Sequence, residues 1–334
     1  MTELIGIVII GRNEGERLVR CLQSVRGQGR VVYVDSGSTD ASIDEARRLG
    51  AEVVVLDASH PFTAARARNA GFARLRELDP AVRYVQFVDG DCEIRDGWLT
   101  AGAGALDADP GAATVCGRLR ERHPERSIYN RMCDIGWDYP VGTIESCGGV
   151  AMYRADRFTG AGGFNESLIA GEEFDLCSRI RAAGGGQIRR IADEMAWHDV
   201  GITRFRQWWK RAARAGFAYA EGWALHPPKV GASYRRNAVR ALFWGALLPL
   251  SICAFALGGI VWRPLLLVSG AAALLLVAQA ARLIVRELRR GRAARDAAGF
   301  GAFLFIAKLP EAIGAMNYWI ARLRRHRTAF IEYR

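Results

Sequence analysis

The sequence lacks the cysteine patterns of a disulfide framework or a structural zinc site. Its seven cysteines are an odd number, and no two of them form a CxxC pair, which argues against both kinds of site. No GxGxxG follows the first predicted strand and no GxxxxGK[ST] occurs, which argues against a dinucleotide oxidoreductase and a nucleotide triphosphatase. The first residues show no basic start, apolar core and small-residue cleavage site, so we expect no secretory signal.

Acidic residues are scarce in the last third of the chain. Residues 1–202 carry 24 basic and 30 acidic side chains, whereas residues 203–334 carry 22 basic and 5 acidic ones. The formal net charge of +11 therefore comes from a segment in which arginine clusters flank long apolar runs. This pattern is typical of a membrane anchor, and we expect no nucleic-acid partner.

Two long runs without a charged residue predict a transmembrane hairpin. Residues 241–262 and 264–281 each approach the ~20 residues that a helix needs to cross a bilayer. Arginine clusters precede and follow the pair, while the turn holds only Arg263, so both ends of the hairpin are expected in the cytoplasm. We therefore expect a multi-pass protein of the inner (cytoplasmic) membrane, in contact with membrane lipid, with its soluble domain in the cytoplasm.

These features predict a division of the chain into four segments. The segments are a soluble domain at 1–202, a basic amphipathic juxtamembrane segment at 203–240, the hairpin at 241–281, and a basic cytoplasmic or interfacial segment at 282–334. Within the last one, residues 297–321 are apolar but contain Lys308 and Glu311. We favour an amphipathic helix in the membrane plane, because a third crossing would place the following arginines outside the cell.

The soluble domain alternates predicted strands with predicted helices. Apolar segments at 4–10, 31–34, 53–56 and 85–88 read as strands, which predicts an α/β fold with a mainly parallel sheet and helices on both faces. Ligands of such sheets bind beyond the carboxyl ends of the strands. Asp89-Gly90-Asp91 stands at such an end, where paired carboxylates can hold Mn²⁺ or Mg²⁺, although the same triplet is also a common turn.

The soluble domain closely resembles the family 2 glycosyltransferases over residues 4–200. The shared motifs, in the order of the family, are VIIGRNE at 8–14, VDSGSTD at 34–40, ARNAG at 67–71, DGD at 89–91, GG at 148–149 and GEEFDL at 171–176. The resemblance implies a GT-A fold, which is a Rossmann-like sheet that binds a nucleotide-sugar. It also implies inverting transfer, and it places the pair at 148–149 beside the acceptor site.

The resemblance implies roles for particular residues. Asp91 would be the usual metal ligand of the DxD motif, Asp89 would assist near the ribose, and His198 would complete the metal shell. The residues expected to contact the donor are Arg12, Glu14, Asp35, Ser36, Arg68, Asn69 and Asp89. Ser36 stands where a second Asp is frequent in the family, and Glu173 stands where the catalytic base is more often Asp.

Helical geometry favours Glu173 as the catalytic base. Position 173 shares a helix face with Leu176, Cys177 and Ile180, so its carboxylate should point inward. Glu172 aligns with Asp175 and Arg179, a charge pattern typical of a solvated face. Glu172 and Asp175 remain alternative bases. Carboxylates in the first turn of a helix also stabilise it by offsetting its dipole, without any catalytic role. Partial burial should raise the pKa of Glu173 toward the working pH.

These patterns, together with what the resemblance implies, predict a metal-dependent inverting glycosyltransferase. The donor would be a nucleotide-diphosphate sugar, and the membrane anchor suggests a lipid or lipid-linked glycan acceptor at the cytoplasmic face. The alternative is a membrane-tethered binding or scaffold protein on a degenerate GT-A fold, which the intact acidic motifs disfavour.

Overall fold

The structure is a computed structural model that describes residues 4–324, apart from the side chain of Lys229. The described residues cluster into two compact units. The first unit comprises residues 4–123 and 137–201, and the second comprises residues 124–136 and 202–324. The change of unit at 201–202 lies beside the change of composition, whereas nothing in the composition marks 124–136 as part of the second unit.

The first unit is an α/β domain. Its strands are β1 (Ile5–Gly11), β2 (Arg30–Asp35), β3 (Glu52–Val55), β4 (Tyr84–Asp89), β5 (Cys92–Ile94), β6 (Ala112–Glu121), β7 (Gly142–Ile144), β8 (Ala151–Arg154) and β9 (Gln187–His198). Its helices are α1 (Glu16–Ser24), α2 (Ser42–Arg48), α3 (Ala64–Leu78), α4 (Trp98–Ala108), α6 (Ala155–Gly160) and α7 (Glu172–Ala182), while α5 (Ile128–Gly136) belongs to the second unit.

The strands form one sheet in the order β3-β2-β1-β4-β8-β6-β9-β5, with β7 paired to β9. The strands β1 to β4 are parallel to one another, as the sequence predicts. Beyond β4 the sheet is mixed, because β8 runs antiparallel to both of its neighbours while β6 and β9 are parallel. The α/β architecture is therefore confirmed, and its parallel strands lead into the first, second and fourth motifs.

Close packing of α3 on β1 fixes the position of the third motif. A side chain at Gly71 would place its Cβ 2.3 Å from Val8 Cγ1, so only glycine lets the helix approach the strand this closely. β1 is buried almost throughout, which explains its unbroken apolar run. Arg68 lies one helical turn before Gly71, and it is consequently held against the carboxyl edge of the sheet.

The second unit is helical. Besides α5 it contains α8 (Phe205–Leu225), α9 (Pro228–Leu242), a π-helical turn (Phe243–Leu247), α10 (Leu248–Gly258), α11 (Pro264–Arg289), α12 (Ala294–Ile306) and α13 (Lys308–Leu323). Three of its helical stretches are long and apolar enough to cross a membrane: Val230–Gly258, Pro264–Arg289 and Ala294–Leu323. The first stretch, Val230–Gly258, begins before the predicted span at 241–262. It also ends before that span does, because the helix stops at Gly258.

The tip of the hairpin presents apolar side chains without cover in the described structure. Val261, Leu267 and Ile260 are 92%, 79% and 78% exposed. Apolar surface of this extent is unfavourable in water, whereas it costs nothing in the hydrocarbon of a bilayer. The exposure therefore supports membrane association of the second unit.

Glycines allow α8 and α13 to pack backbone against backbone. A Cβ at Gly314 would lie 1.9 Å from the Ala213 carbonyl oxygen, and a Cβ at Gly216 would lie 1.9 Å from the Glu311 carbonyl oxygen. The two helices thus meet through reciprocal glycine contacts, which is a common way for apolar helices to associate.

Replacement of Gly314 by Ala should disrupt this contact. Overpacking of a tight contact typically costs about 1–3 kcal/mol, which exceeds the gain of up to ~1 kcal/mol in helix propensity. The matched control is Gly270→Ala in α11, where an added Cβ would meet no atom within 4 Å. Thermal unfolding in detergent should show a lower midpoint for Gly314→Ala only; equal midpoints for the two variants would contradict the contact.

Candidate active site

The first, second and fourth predicted motifs meet at the carboxyl edge of the parallel strands. β1 lies between β2 and β4, and the strand register pairs Gly11 with Asp35 and Ile10 with Asp89. The loops that follow these strands therefore leave the sheet side by side, as the sequence predicts.

Hydrogen bonds link the loop after β1 to the loop after β2. Asn13 has a φ of 55°, a left-handed conformation that Asn tolerates better than most residues. Its backbone N–H donates to Ser38 Oγ over 2.9 Å, and its Oδ1 accepts from the Thr39 N–H over 2.7 Å. Ser36 N–H donates to the Gly11 carbonyl over 3.0 Å. These bonds give the edge of the site a defined shape before any ligand binds.

Asp35 is fully buried and organises its own loop. Its carboxylate accepts from the Gly37 and Ser38 N–H groups over 2.9 and 2.8 Å and from the Tyr33 hydroxyl over 3.0 Å. The structure thus shows Asp35 supporting the loop from below, and a direct contact of its carboxylate with a donor stays a prediction.

Strand pairing brings Asp91 and His198 together although 107 positions separate them. β5 is antiparallel to β9 with Cys92 opposite His198, and the Asp199 N–H donates to the Asp91 carbonyl over 3.0 Å. His198 Nε2 consequently lies 3.2 Å from Asp91 Oδ2. Trp137 stacks on the imidazole, with ring centroids 4.9 Å apart and an angle of 15° between the planes, so the ring orientation of His198 is fixed from one side.

The pair of Asp91 and His198 fits a divalent cation. Two ligand atoms on one Mn²⁺ or Mg²⁺ at ordinary bond lengths stand about 3 Å apart, which matches the spacing of Nε2 and Oδ2. Within the described residues, Cys92 Sγ completes a group of ligand atoms that all lie within 4.8 Å of one another. Burial, and then the charges of Asp91 and Asp89, raise the pKa of the Cys92 thiol well above its usual value, and Mn²⁺ and Mg²⁺ prefer oxygen ligands to sulfur.

The charges around Asp91 lower the pKa of its carboxyl. Burial raises the pKa of its carboxyl, but the positive charge and hydrogen bond of His198 outweigh burial, and the net pKa lies below the usual value. Asp91 is therefore an anion at neutral pH, which is the form that binds a cation, whereas His198 must lose its proton to become a ligand of that cation.

Arg68 joins the DGD motif to the acidic motif. Its side chain is 1% exposed, and it donates from Nη2 to Asp89 Oδ1 and from Nη1 to Glu172 Oε1, each over 2.7 Å. Glu173 Oε1 lies farther away, 3.6 Å from Nη1. One buried guanidinium thus holds the carboxylates of two separate motifs, and Asp89 is engaged here rather than in the cation group at Asp91.

The helix-face interpretation of the acidic motif is wrong in one respect. Glu172 and Asp175, predicted on a solvated face, are only 6% and 1% exposed, since Arg68 covers one and Arg179 the other. Asp175 does form the expected ion pair with Arg179, at 2.6 Å, and Arg179 also donates to the Gly163 carbonyl over 2.7 Å. These two side chains hold a loop in place, which leaves Glu173 as the acid of the motif with a partly exposed carboxylate, 19%.

Gly149 leaves room for this group of charges. A Cβ at this position would lie 2.3 Å from Arg68 Nη2, 2.9 Å from Asp89 Oδ2 and 3.1 Å from Glu173 Oε1. The same addition at Gly148 would meet no atom within 4 Å. The sequence pattern indicates the glycine pair, but only the fold shows which of the two faces the acids.

The remaining predicted donor residues lie around the same edge. Asn69 donates to the Phe164 carbonyl over 2.8 Å and accepts from the Phe164 N–H over 2.9 Å, so it anchors the loop before α7. The Arg12 guanidinium lies 5.5 Å from the centre of the Phe62 ring, and Glu14 pairs with Arg17 at 2.6 Å. Roles for Arg12, Glu14, Ser36 and Asn69 in donor binding stay predictions.

Comparison with known proteins supports the resemblance seen in the sequence. Residues 6–155 match the sequence model of the family described as glycosyl transferase family 2. The pre-mycofactocin glycosyltransferase of Mycobacterium tuberculosis is 30% identical over 239 residues, which cover 67% of this chain and 48% of that protein. The O-antigen chain rhamnosyltransferase WbaN of Salmonella anatum is 25% identical over 168 residues, 46% of this chain and 52% of that protein.

A solved structure confirms the GT-A fold. The mannosyltransferase PcManGT from Pyrobaculum calidifontis, in complex with GDP-Man and Mn²⁺, superposes with a TM-score of 0.57 and 18% identity over 92% of this chain and 86% of that chain. The chain spans about half the length of the curated relatives it matches. Residues 6–155, with the ordered motifs that they carry, are thus a glycosyl transferase family 2 sequence.

Proposed function

We propose that the protein is a metal-dependent inverting glycosyltransferase that uses a nucleotide-diphosphate sugar. One observation carries this proposal: Asp91 and His198, whose ligand atoms are spaced to share a cation, stand at the same sheet edge as Glu173, an acid with a raised pKa, and Arg68 pairs with Asp89 beside them. The names of the relatives, which include a rhamnosyltransferase and a mannosyltransferase bound to GDP-Man, support a nucleotide-sugar donor without fixing the sugar.

Asp91 and His198 would hold Mn²⁺ or Mg²⁺, with oxygen atoms of the donor diphosphate filling further positions. A bound cation supplies positive charge for the diphosphate that leaves. Arg68 keeps Asp89 in a fixed orientation beside this place, because both of its partners are ion-paired at 2.7 Å. Preorganised charge of this kind needs no rearrangement as the reaction proceeds.

Glu173 would act as the general base. Burial and the charge of Glu172 raise the pKa of Glu173 to about 8, against the opposing effect of Arg68, so its proton affinity suits proton transfer near neutral pH. The Glu173 carboxylate accepts the proton of an acceptor hydroxyl, whose oxygen bonds to the anomeric carbon. The bond from that carbon to the diphosphate oxygen breaks on the opposite face, which inverts the configuration.

We further propose that the acceptor is a lipid or lipid-linked glycan at the cytoplasmic face of the inner membrane. Three helices of the second unit are long and apolar enough to cross a bilayer, and the name of one relative refers to O-antigen chains. We retain residues 297–321, which lie in α12 and α13, as a segment in the membrane plane. The α13 part packs along α8 through Gly216 and Gly314 and carries an ion pair between Lys308 and Glu311 at 2.5 Å. Membrane lipid would then contact both the hairpin and this helix.

Donor binding should depend on metal and on Asp91. We expect a panel of nucleotide-sugars to stabilise the detergent-purified chain in thermal unfolding with Mn²⁺ present, and not with a chelator. Asp91→Asn should abolish this stabilisation and lower turnover by about a hundredfold or more, whereas Asp96→Asn, at an exposed position, should behave like the wild type. Donor-dependent stabilisation that survives both chelator and Asp91→Asn would overturn the metal proposal.

Replacement of Glu173 by Gln should lower the activity but raise the stability of the folded protein at high pH. Because the folded-state pKa of about 8 exceeds the ordinary value of 4.5, the folded protein holds a proton that the unfolded chain releases between these pH values. Stability from Glu173 is thus fully present below pH 4.5 and is lost as the pH rises through about 8.

The Gln variant cannot acquire that buried charge, so it should lose turnover by about 10²–10⁴-fold yet unfold at a higher temperature than the wild type at pH 8.5. We expect about 1–3 kcal/mol, since a tenfold change in proton affinity corresponds to ~1.4 kcal/mol. Unfolding measured with chelator from pH 5 to 8.5 checks this. Glu77→Gln, where the side chain is 65% exposed, should show no such trend, and a constant difference at every pH for Glu173→Gln would refute the raised pKa.

The two neighbouring glycines offer a test of the charge arrangement. Gly149→Ala should push Arg68, Asp89 or Glu173 out of position and reduce turnover by about a hundredfold, the typical effect of a misplacement near 1 Å. Gly148→Ala, with free space around it, should retain most of the activity. Sugar release or transfer assays on both variants decide the point, and equal activities would mean that the site tolerates displacement of these charges.

A further inference from the structure

The segment at residues 137–139, in the connection between α5 and β7, has no part in the mechanism above. Its first residue, Trp137, is half-buried. The indole of Trp137 stacks on the imidazole of His198, with 4.9 Å between the ring centroids and 15° between the planes. An indole offers a hydrogen-bond donor and no lone pair for a metal, so any effect of Trp137 on the proposed cation acts through His198.

Strand pairing fixes the backbone of His198 but not the orientation of its imidazole. The antiparallel pairing of β5 with β9 places Cys92 opposite His198. The torsion that turns an imidazole about its Cβ–Cγ bond has broad minima, so a rotation of the ring would move Nε2 from its place 3.2 Å from Asp91 Oδ2. A flat ring packed against one face of the imidazole restricts this rotation.

The two residues after Trp137 connect the segment to the sheet. Asp138 Oδ1 lies 3.4 Å from Arg190 Nη2 and 3.7 Å from Arg118 Nε. The centre of the Tyr139 ring lies 5.0 Å from the guanidinium carbon of Arg190, which is a cation–π distance. Arg118 is on β6 and Arg190 is on β9, and both are buried. Since the stacked imidazole is at the end of the same β9, the sheet anchors both rings of the stack.

We propose that Trp137 is a positioning residue, which raises the affinity of Asp91 and His198 for a divalent cation by holding the imidazole toward Asp91. Residues that orient a metal-binding histidine change the metal affinity although they do not touch the metal. The importance of this contact for sugar transfer rests on the proposed function. Binding of the cation itself requires neither donor nor acceptor.

Binding of Mn²⁺ to the full chain in detergent, without donor, tests the proposal. The electron paramagnetic resonance signal of free Mn²⁺ gives the dissociation constant. Trp137→Leu should raise this constant by about tenfold to a hundredfold, the usual effect of losing a group that orients a metal ligand. Trp137→Phe keeps a flat ring over the imidazole and should raise it only severalfold.

Replacement of His198 shows whether Trp137 acts through it. In the His198→Asn background the imidazole is gone, so Trp137→Leu should cause no further loss of affinity, because two changes that act through one contact are not additive. A tryptophan that only stabilised the fold would change the dissociation constant by the same factor in both backgrounds.

Trp197→Leu is the matched control. Trp197 is adjacent to His198 but on the opposite face of β9, and its ring centre lies 5.2 Å from the guanidinium carbon of Arg95. Its replacement removes an indole of similar burial and should leave the dissociation constant for Mn²⁺ as in the wild type.

Two results would overturn the proposal: Trp137→Leu binds Mn²⁺ as tightly as the wild type, or it weakens binding by the same factor with and without His198. If Trp137→Leu does not fold, the same comparison with Trp137→Phe decides. Either result, obtained with a protein that still transfers sugar with Mn²⁺, would contradict this inference alone. Binding of Mn²⁺ that depends on Trp137, in a protein that transfers no sugar, would contradict the proposed function alone.

Discussion

The buried guanidinium of Arg68 is the interaction on which the candidate site depends. Asp89, Glu172 and Glu173 would repel one another at the edge of the sheet if no cation stood between them. Arg68 binds the first two at 2.7 Å, and it reaches them because Gly71 lets α3 lie close to β1 and because Gly149 has no side chain. Gly71, Gly149 and Arg68 therefore fix the position of the end of β4 relative to the start of α7.

The unequal sharing of Arg68 gives the carboxylates different chemistry. Glu172 receives a short ion pair, whereas Glu173 is 3.6 Å from the same nitrogen and keeps much of its burial penalty, which raises its pKa. Asp91 has its own partner in His198, and its pKa is lowered. Asp91, an anion suited to bind a cation, and Glu173, an acid suited to exchange a proton, can thus lie at one sheet edge, because each has a different charged neighbour.

The sequence predicts the local parts of this arrangement better than the distant ones. Apolar runs mark β1 to β4, and the ordered motifs mark the loops after them, since both depend on neighbouring residues. The contact of Asp91 with His198 depends on the pairing of β5 with β9 across 107 positions, and only the family resemblance indicates it. Helical periodicity misplaces Glu172 and Asp175, because it assumes one buried face, whereas Arg68 and the loop at Gly163 cover the first turn of α7 from other sides.

Arg68 and Arg190 are two buried arginines of one domain that differ in how closely their guanidinium groups are paired. Both are almost fully buried, so burial alone does not distinguish them. Arg68 makes short ion pairs with two carboxylates, and this match makes it part of the scaffold of the site. Arg190 meets one half-exposed carboxylate at 3.4 Å, and the Nε atoms of both arginines are buried without a hydrogen-bond partner in the described chain. The two arginines therefore differ in their ion-pair distances, and only the short pairs of Arg68 fix the positions of carboxylates at the candidate site.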